Sequence, residues 1–329
     1  MKENLEYFIK GNFVHRELQS QTLFKNTVTR YIAYFIQYPF IHLLIFLNNI
    51  LKKKKTHYRH TISICCIFKN ESEFLDEWIK FHLVIGIDHF YLYNNNSDDD
   101  YIGILQPYID KGVVDLFDWP HKHSQMQAYE HCYKNFNNDT HWLTFIDIDE
   151  FICPISTNNI KGWLSNYKKY PGVAVYWKQF GSSGKMKHDH NKLVIEQYTQ
   201  CWPKYSTFTK MFCNMKFSFK PFENPHKMNA KILGFNIPPI NQFKKLINFG
   251  INRISKNSKT NIQINHYWGK AYDCFVKNKI NKTDVYHEDD FNQSLLRNNL
   301  LKSHESLCKE RDFEIQKFLL FTKLYNNKY

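Results

Sequence analysis

The residues best suited to chemistry fall in one stretch, His141 to Pro154, reading HWLTFIDIDEFICP. An apolar run, Trp142 to Ile146, leads into three carboxylates in four positions, Asp147, Asp149 and Glu150. A second apolar run, Phe151 to Cys153, follows. A continuous apolar run bounded by polar residues reads as a buried strand. Acids at the end of such a strand make sense where the carboxyl edge of an open α/β sheet meets a ligand. Because side chains alternate along a strand, this reading puts Asp147 and Asp149 on one side. Two carboxylates so placed repel unless a cation lies between them, and hard divalent ions take oxygen ligands of this kind. On the same reading, neutralising either acid relieves repulsion in the cation-free protein. The alternative is an acidic turn in solvent, against which the flanking apolar sequence argues.

The elements that must carry such a site are legible upstream. Thr61 to Phe68, TISICCIF, reads as a first buried strand, and Lys69-Asn70-Glu71-Ser72 as the turn after it. Glu73 to Ile85 has a helical stripe closed by Gly86. Asp88 to Tyr93 is a second strand, ending in the polar run Asn94 to Asp100. A short helix over Leu105 to Gly112, a strand over Val113 to Trp119 and a helix over Ser124 to Phe136 precede the acidic strand. Alternating strands and helices predict an α/β fold with a mostly parallel, Rossmann-like central sheet and polar loops at its carboxyl edge.

Beyond Pro154, Gly162 to Tyr167 reads as helix, and Val173 to Trp177 and Leu193 to Thr199 as strands. Ile262 to Trp268 reads as a last strand carrying His266. After Tyr272 the chain turns polar and helical. The organisation expected is an N-terminal helical extension over 1–58, one α/β domain over 59–275 and a C-terminal helical segment over 276–329.

Composition sets the bounds. In 329 residues, 43% are hydrophobic and 17% aromatic, with 28 Phe and 21 Tyr, enough for a large core. Eleven Gly and ten Pro exclude a fibrous or low-complexity chain. A net charge of +13 suits an acidic partner such as an anionic membrane or a phosphorylated substrate. Eight cysteines lack any Cys-x-x-Cys spacing, and several sit in apolar runs. That argues for a reducing compartment and against a disulfide framework or a zinc site.

From Tyr31 to Leu51 there is no Asp, Glu, Lys or Arg, and Lys52 to Lys55 follow directly. The length just suffices to span a bilayer, which takes about 20 apolar residues. Gln37, Pro39, His42 and two Asn interrupt it. An aromatic helix beside a basic cluster fits a segment lying on an anionic membrane surface. A spanning helix and an ordinary packed helix are the alternatives.

Several of these segments, in this order and spacing, resemble glycosyltransferase family 92. They are Phe68-Lys69-Asn70-Glu71, Glu77-Trp78, His82 with Gly86 and His89, Tyr93 to Asp98, and Phe145 to Phe151. The likeness runs from about Ser63 to Pro154. It continues more loosely through Phe180 to Gly184, Lys216 to His226 and Ile264 to Tyr267. It implies a GT-A fold, related to family 2-like enzymes, with an Asp-x-Asp metal motif and a nucleotide-sugar donor.

The resemblance also implies roles for particular residues. Asp147 and Asp149 hold a divalent metal, Mn2+ or Mg2+, with His266 or His226 completing the site. Asp98 meets the uracil or ribose, with Lys69, Asn70 and Glu71 bordering the pocket. Lys216 and Lys220 are candidates for phosphate contact. An inverting transfer needs a general base. Among Glu196, Asp189, Glu223 and Asp273, Glu196 is preferred, as an acid in a strand-like run. With Asp149 it makes up the expected catalytic pair.

The function implied is a metal-dependent transfer from a UDP-sugar to a glycan or glycolipid acceptor. The setting expected is surface polysaccharide or lipopolysaccharide synthesis at the cytoplasmic face of a membrane, without a nucleic-acid partner. A metal-dependent phosphohydrolase or nuclease and a non-catalytic adaptor with a transferase fold are the alternatives.

Overall fold

The computed structural model describes residues 27–51, 57–206, 208–220, 224, 226, 228–247, 260–280 and 291–325. A 25-residue helix, α1 (Thr27–Leu51), precedes strand β1 (His60–Phe68), which is buried on both faces from Ile62 onward. The run of Ile and Cys in β1 is what a central parallel strand covered on both sides requires. Then come α2 (Ser72–Val84), β2 (His89–Asn94), α3 (Tyr101–Ile109), β3 (Val114–Asp118), α4 (Gln125–Phe136) and β4 (Thr140–Phe145). β1 pairs in parallel with β2 and β4, and β2 with β3. This is the repeated βαβ pattern that the sequence predicts.

One polar residue of α2, His82, ties the helix to Ile152. His82 Nδ1 lies 2.8 Å from the Trp78 carbonyl, and Nε2 accepts the Ile152 N–H at 3.3 Å. Burial lowers the His82 pKa to about 3, so the ring is neutral and serves as a fixed peg. The helix ends at Gly86, whose φ of +101° disfavours any other residue. A Cβ there would also sit 2.8 Å from Asn159 Nδ2.

After β4 the structure departs from the sequence reading. Asp147 and Asp149 are not within a strand. β4 stops at Phe145, β5 (Glu150–Pro154) starts at Glu150, and a turn closed by Glu150 N–H to the Asp147 carbonyl (3.0 Å) lies between. The shared-side argument therefore fails, and the turn sends Asp147 and Asp149 to different partners.

Next come α5 (Ile160–Leu164), β6 (Gly172–Gln179), α6 (Val194–Gln197), β7 (Gln200–Cys201), β8 (Thr209–Asn214), β9 (Ser218–Phe219), β10 (Ala230–Ile232), β11 (Phe235–Ile237), β12 (Ile240–Asn241) and β13 (Ile262–His266). The strand expected over Leu193 to Thr199 is instead helix α6. Its first amides, Val194 and Ile195, donate to Glu77 at 2.7 and 3.1 Å. A carboxylate from α2 thus supplies the acceptor a helix start needs. That tertiary contact overrides the β-branched local sequence.

The main sheet runs β3-β2-β1-β4-β8-β6-β13-β5, with β12 beside β6. β8 is antiparallel to β4 and β6, β13 is parallel to β6, and β5 is antiparallel to β13. β4 and β5 are therefore four positions apart, about 19 Å in a flat sheet. Five residue steps from Phe145 to Glu150 reach at most about 17 Å, less with a turn among them. The sheet must curl so that β5 returns over the carboxyl edge of β4.

The C-terminal part comprises α7 (Tyr272–Phe275), a π-helix over Val276–Ile280, α8 (Phe291–Leu307), β14 (Glu310–Arg311) and α9 (Leu319–Lys323). It packs onto the domain: β14 pairs with β7, Glu305 accepts from the Ser182 amide and hydroxyl, and Ile315 and Phe318 join the core. Helix α1 docks through buried Ile41, Leu44, Ile45 and Asn48. Phe35, Ile36, Leu43, Phe46 and Ile50 are left exposed. Phe40 meets Phe235 of the β10–β11 hairpin edge-on at 5.3 Å, and the exposed hairpin residue Leu233 extends the same apolar surface. Among the described residues no helix is long and apolar enough to cross a membrane. Lys52 to Lys55 lie outside the described residues.

Candidate active site

Strand polarity gathers the polar residues at one edge. The carboxyl ends of β1, β2 and β4 open there, followed by Lys69 to Glu71, Asn95 to Asp100 and the acidic turn. β8 runs the other way, so its first residues, Thr209 and Lys210, arrive at that edge. β6 and β13 end there with Gln179 and His266, and β5 begins there with Glu150. In register, His266 faces both Glu150 and Gln179.

Lys210 is the centre of the cluster. Its side chain is buried, and Nζ lies 2.9 Å from Asp147 Oδ2 and 3.3 Å from Glu150 Oε2. Burial alone would favour the neutral amine, but Asp147 and Glu150 outweigh it and hold the ammonium above the ordinary lysine range. Asp147 Oδ1 also accepts from Gln125 Nε2 (3.1 Å) and Tyr129 OH (3.2 Å), both on α4. Glu150 is fully buried; its Oε2 accepts the Asp147 amide at 3.0 Å, and its Oε1 has no hydrogen-bond partner among the described residues. Burial raises its pKa well above the carboxylate range; Lys210 opposes the rise, while Asp147 and Asp149 add to it.

Asp149 has different company. Lys279, from the π-helix, donates to Oδ2 at 2.8 Å, and His266 Nε2 stands 3.7 Å from Oδ1. Burial would push this carboxyl up, but Lys279, His266 and Lys270 outweigh it and hold it well below the usual range. His266 Nδ1 lies 3.0 Å from Gln179 Oε1, which can only accept, so Nδ1 carries a proton and Nε2 is the nitrogen turned towards Asp149. His226 is pinned likewise, Nδ1 donating to the Thr209 carbonyl at 3.1 Å. Burial, then Lys210, lowers its pKa to about 3, leaving a neutral ring. The Trp177 ring lies between the two histidines, with centroids 4.2 Å from His266 and 5.1 Å from His226. A carboxylate oxygen and an imidazole lone pair separated by one ligand-to-ligand gap suit a divalent cation.

The loops beside the acids are laced together. The Asn70 amide donates to Ser97 Oγ, and the Asp98 amide to Asn70 Oδ1, each at 2.9 Å. Asn70 and Asn96 both have φ of +53°, a conformation Asn tolerates better than most residues. Asp99 accepts the Ser72 amide at 2.7 Å, and Asp100 caps α3 through Gly103. The exposed carboxylate of Asp98 is thus left without a hydrogen bond among the described residues. Lys69 and Glu71 are half-buried beside it, and Glu71 acts electrostatically on Lys279.

The residue model of glycosyltransferase family 92 matches residues 58–229. The chain belongs to glycosyltransferase family 92. A family 92 protein of Oryza sativa subsp. japonica is 31% identical over 144 residues, 42% of this chain and 25% of its own length. One of Ricinus communis is 26% identical over 237 residues, 70% of this chain and 39% of its own. The chain therefore spans well under half the length of these relatives. Among solved structures, S. aureus TarS 1-349 is similar at 11% identity and a TM-score of 0.33, covering 74% of this chain and 70% of that one. Glucosyl-3-phosphoglycerate synthase from Mycobacterium tuberculosis, solved with Mn2+, UDP and glucosyl-3-phosphoglycerate, has 16% identity and a TM-score of 0.26 over 36% of this chain and 44% of that one.

Of the site residues that sequence singles out, Asp147, Asp149, His266, His226 and Glu71 converge. Asn70, Lys69 and Asp98 line the adjoining loops. Glu196 does not join them: it pairs with Lys323 at 2.6 Å on the side where the C-terminal segment packs. Asp273 accepts backbone amides, Asp189 caps its own turn, and Glu223 lies outside the described residues. Lys216 follows the end of β8 away from the acids and acts on His141, at the start of β4. The Lys220 amide is paired with the Asn229 carbonyl. Lys210, Lys279 and Gln179 are the residues sequence reasoning missed. The one signal for Lys210 was a lone charge inside the otherwise apolar Met211-Phe212-Cys213 neighbourhood.

The paired lysines reverse the expectation that losing one acid relieves repulsion, since each Asp now neutralises a cation. Burial, against the pull of Lys210, makes Glu150 the acid of the three that favours its protonated form. A raised folded pKa contributes stability below the unfolded value near 4.5 that is lost as pH rises towards the folded value. Glu150→Gln should therefore leave stability near neutral pH unchanged or higher. It should also remove a fall of up to about 1.4 kcal/mol per pH unit seen in the parent above pH ~4.5. Urea denaturation across pH checks this. A loss of about 3–5 kcal/mol at neutral pH would instead mean an ionised Glu150–Lys210 pair.

Proposed function

We propose that this chain is a metal-dependent glycosyltransferase that moves a sugar from a nucleotide-sugar donor, a UDP-sugar, to a glycan or glycolipid acceptor with inversion. The observation that carries the reading is the Asp149–His266 pair, a carboxylate facing an imidazole Nε2 at 3.7 Å at the carboxyl edge of the sheet. Family membership supports the same chemistry. Asp149 and His266 would hold the divalent cation, with Asp147 and His226 behind them; a mixed oxygen and imidazole set suits Mn2+ better than Mg2+. When bound, the cation neutralises charge on the diphosphate leaving group.

The chain's own residues do the rest. Lys279, partly exposed, keeps Asp149 ionised in the protein alone and lies within reach of a diphosphate at that carboxylate. Lys210 holds Asp147 in place, and Gln179 orients the His266 ring. Asp98 is placed to accept hydrogen bonds from the ribose or base, since Asp99 and Asp100 already perform the capping. The phosphohydrolase reading has less support, because the acids come from a single turn and two of the three are neutralised by lysines.

Asp149→Asn is expected to abolish transfer at saturating metal and donor, measured as nucleoside diphosphate release. Turnover at the parent rate would remove the site assignment. Asp98→Ala should raise the dissociation constant of the nucleoside diphosphate roughly ten- to hundredfold, the effect of losing a hydrogen bond to a charged group. Calorimetry measures this, and parent-like affinity would place the nucleotide elsewhere.

We further propose that the outer face of α1, the β10–β11 hairpin and Lys52 to Lys55 seat the enzyme on an anionic membrane at its cytoplasmic face, where surface polysaccharide or lipopolysaccharide is built. The exposed apolar residues Phe35, Ile36, Leu43, Phe46 and Leu233 support this reading. Each lysine near such a surface contributes about 1 kcal/mol, weakened by salt. The full chain should co-sediment with phosphatidylserine vesicles in a salt-dependent way, and a chain beginning at Arg59 should bind much less. Equal sedimentation of the two would refute the role.

A further inference from the structure

A second group of metal-ligating side chains lies outside the acidic turn. Glu73, in the first turn of α2, His188, in the loop before α6, and Cys274, on α7, each offer a ligand atom within 4.8 Å of the other two. His188 and Cys274 are buried, while Glu73 is exposed. Glu73 Oε1 is 3.8 Å from His188 Nε2, close to the spacing of about 3.5 Å between ligands on a tetrahedral zinc ion. His190 Nδ1, 3.0 Å from the same Glu73 oxygen, is a hydrogen-bonding partner on the exposed side and stands outside the three-ligand group. No pair of the three ligands has zinc-finger spacing, which is why the cysteine spacing argued against a zinc site.

The surroundings prepare the ligands. Both oxygens of Asp273 accept the His188 amide, at 3.2 and 3.1 Å, and Oδ1 also accepts the Cys274 amide at 2.7 Å. One carboxylate therefore sets the backbones of two ligands in register. Tyr198 OH lies 2.8 Å from His188 Nδ1, and Gln197 Nε2, whose hydrogens go to the Asp189 and Lys192 carbonyls at 3.2 and 3.0 Å, packs 3.5 Å from Nε2. The Tyr198 contact engages Nδ1 and leaves Nε2 as the ring nitrogen that faces Glu73. Lys277 Nζ sits 3.4 Å from Glu73 Oε2, a cation already drawn to the group. An open cavity of about 510 Å³, lined by Met186, Lys187, Tyr272, Asp273, Val276 and Lys277, gives access from solvent.

We propose that Glu73, His188 and Cys274 form a zinc site, with solvent as the fourth ligand, separate from the acidic turn, that ties α2, the 186–190 loop and α7 together. Thiolate and imidazole select zinc over Mg2+ and Mn2+, so the two sites would load with different ions. The site does not depend on the glycosyltransferase reading.

The test uses the full chain stripped with chelator and titrated with Co2+ and with Zn2+ in excess Mg2+. One equivalent of Co2+ should produce a thiolate charge-transfer band with the d–d pattern of tetrahedral coordination. Zinc should displace it, raise the melting temperature and protect Cys274 from alkylation, read by peptide mass. Cys274→Ser should lose the charge-transfer band. Asp273→Asn, which removes no ligand, should weaken zinc about 10–100-fold, as outer partners of metal ligands do. If Cys274→Ser does not fold, the alkylation readout on the parent chain decides. Absence of the band, its survival in a folded Cys274→Ser, or equal alkylation of Cys274 with and without zinc would each overturn the proposal.

Discussion

The cluster depends on a buried ammonium. Lys210 enters from a strand antiparallel to β4 and neutralises the start of the acidic turn at a depth where an isolated charge would be untenable. Without it, Asp147 and Glu150 would face one another across a desolvated gap. With it, Asp147 is fixed by three donors and the turn has one conformation, which aims Asp149 at His266. Lys279 then plays the same part for Asp149 nearer the surface. The two lysines differ in a useful way: the inner one is locked by packing, and the outer one is a side chain that an incoming charge can move.

The first half of the fold was legible because its signals are local. Buried parallel strands must be apolar throughout, helices between them need a stripe, and the turns need Asn or Gly at positive φ, as at Asn70, Asn96 and Gly86. The acids stood out because nothing local explains carboxylates between two apolar runs. What the sequence could not show is set by distant pairing. Glu77 caps α6 from 117 residues away, so Val194-Ile195-Glu196-Gln197 looked like a strand and Glu196 like a buried acid in need of a task. Lys210 looked like an ordinary basic residue because its partners are decided by which strand inserts beside β4. Lys216, six positions on, seemed equivalent and lies beyond the other end of that strand.

The same logic sorts the buried histidines. His82 is fully buried with both nitrogens engaged by backbone, and His226 and His266 each spend Nδ1 on an acceptor and keep Nε2 turned inward. Nothing in residue type distinguishes them. The distinction rests on whether the second nitrogen meets a peptide group or a carboxylate, and that is a property of the sheet edge on which each residue ends.

The curl of the sheet has a consequence for how the protein is made. β4 and β5 are adjacent in the chain, yet β8, β6 and β13 stand between them in the sheet. A nascent chain that has emerged as far as Pro154 contains the whole acidic motif and cannot close it, because β13 arrives more than a hundred residues later. The acidic turn would wait, uncompensated, for Lys210 and then His266. Such late, long-range strand insertion slows folding, since loop closure must precede the contacts that reward it. Assembly of this sheet edge is therefore coupled to completion of the domain, and a partly synthesised chain exposes carboxylates without the partners that later surround them.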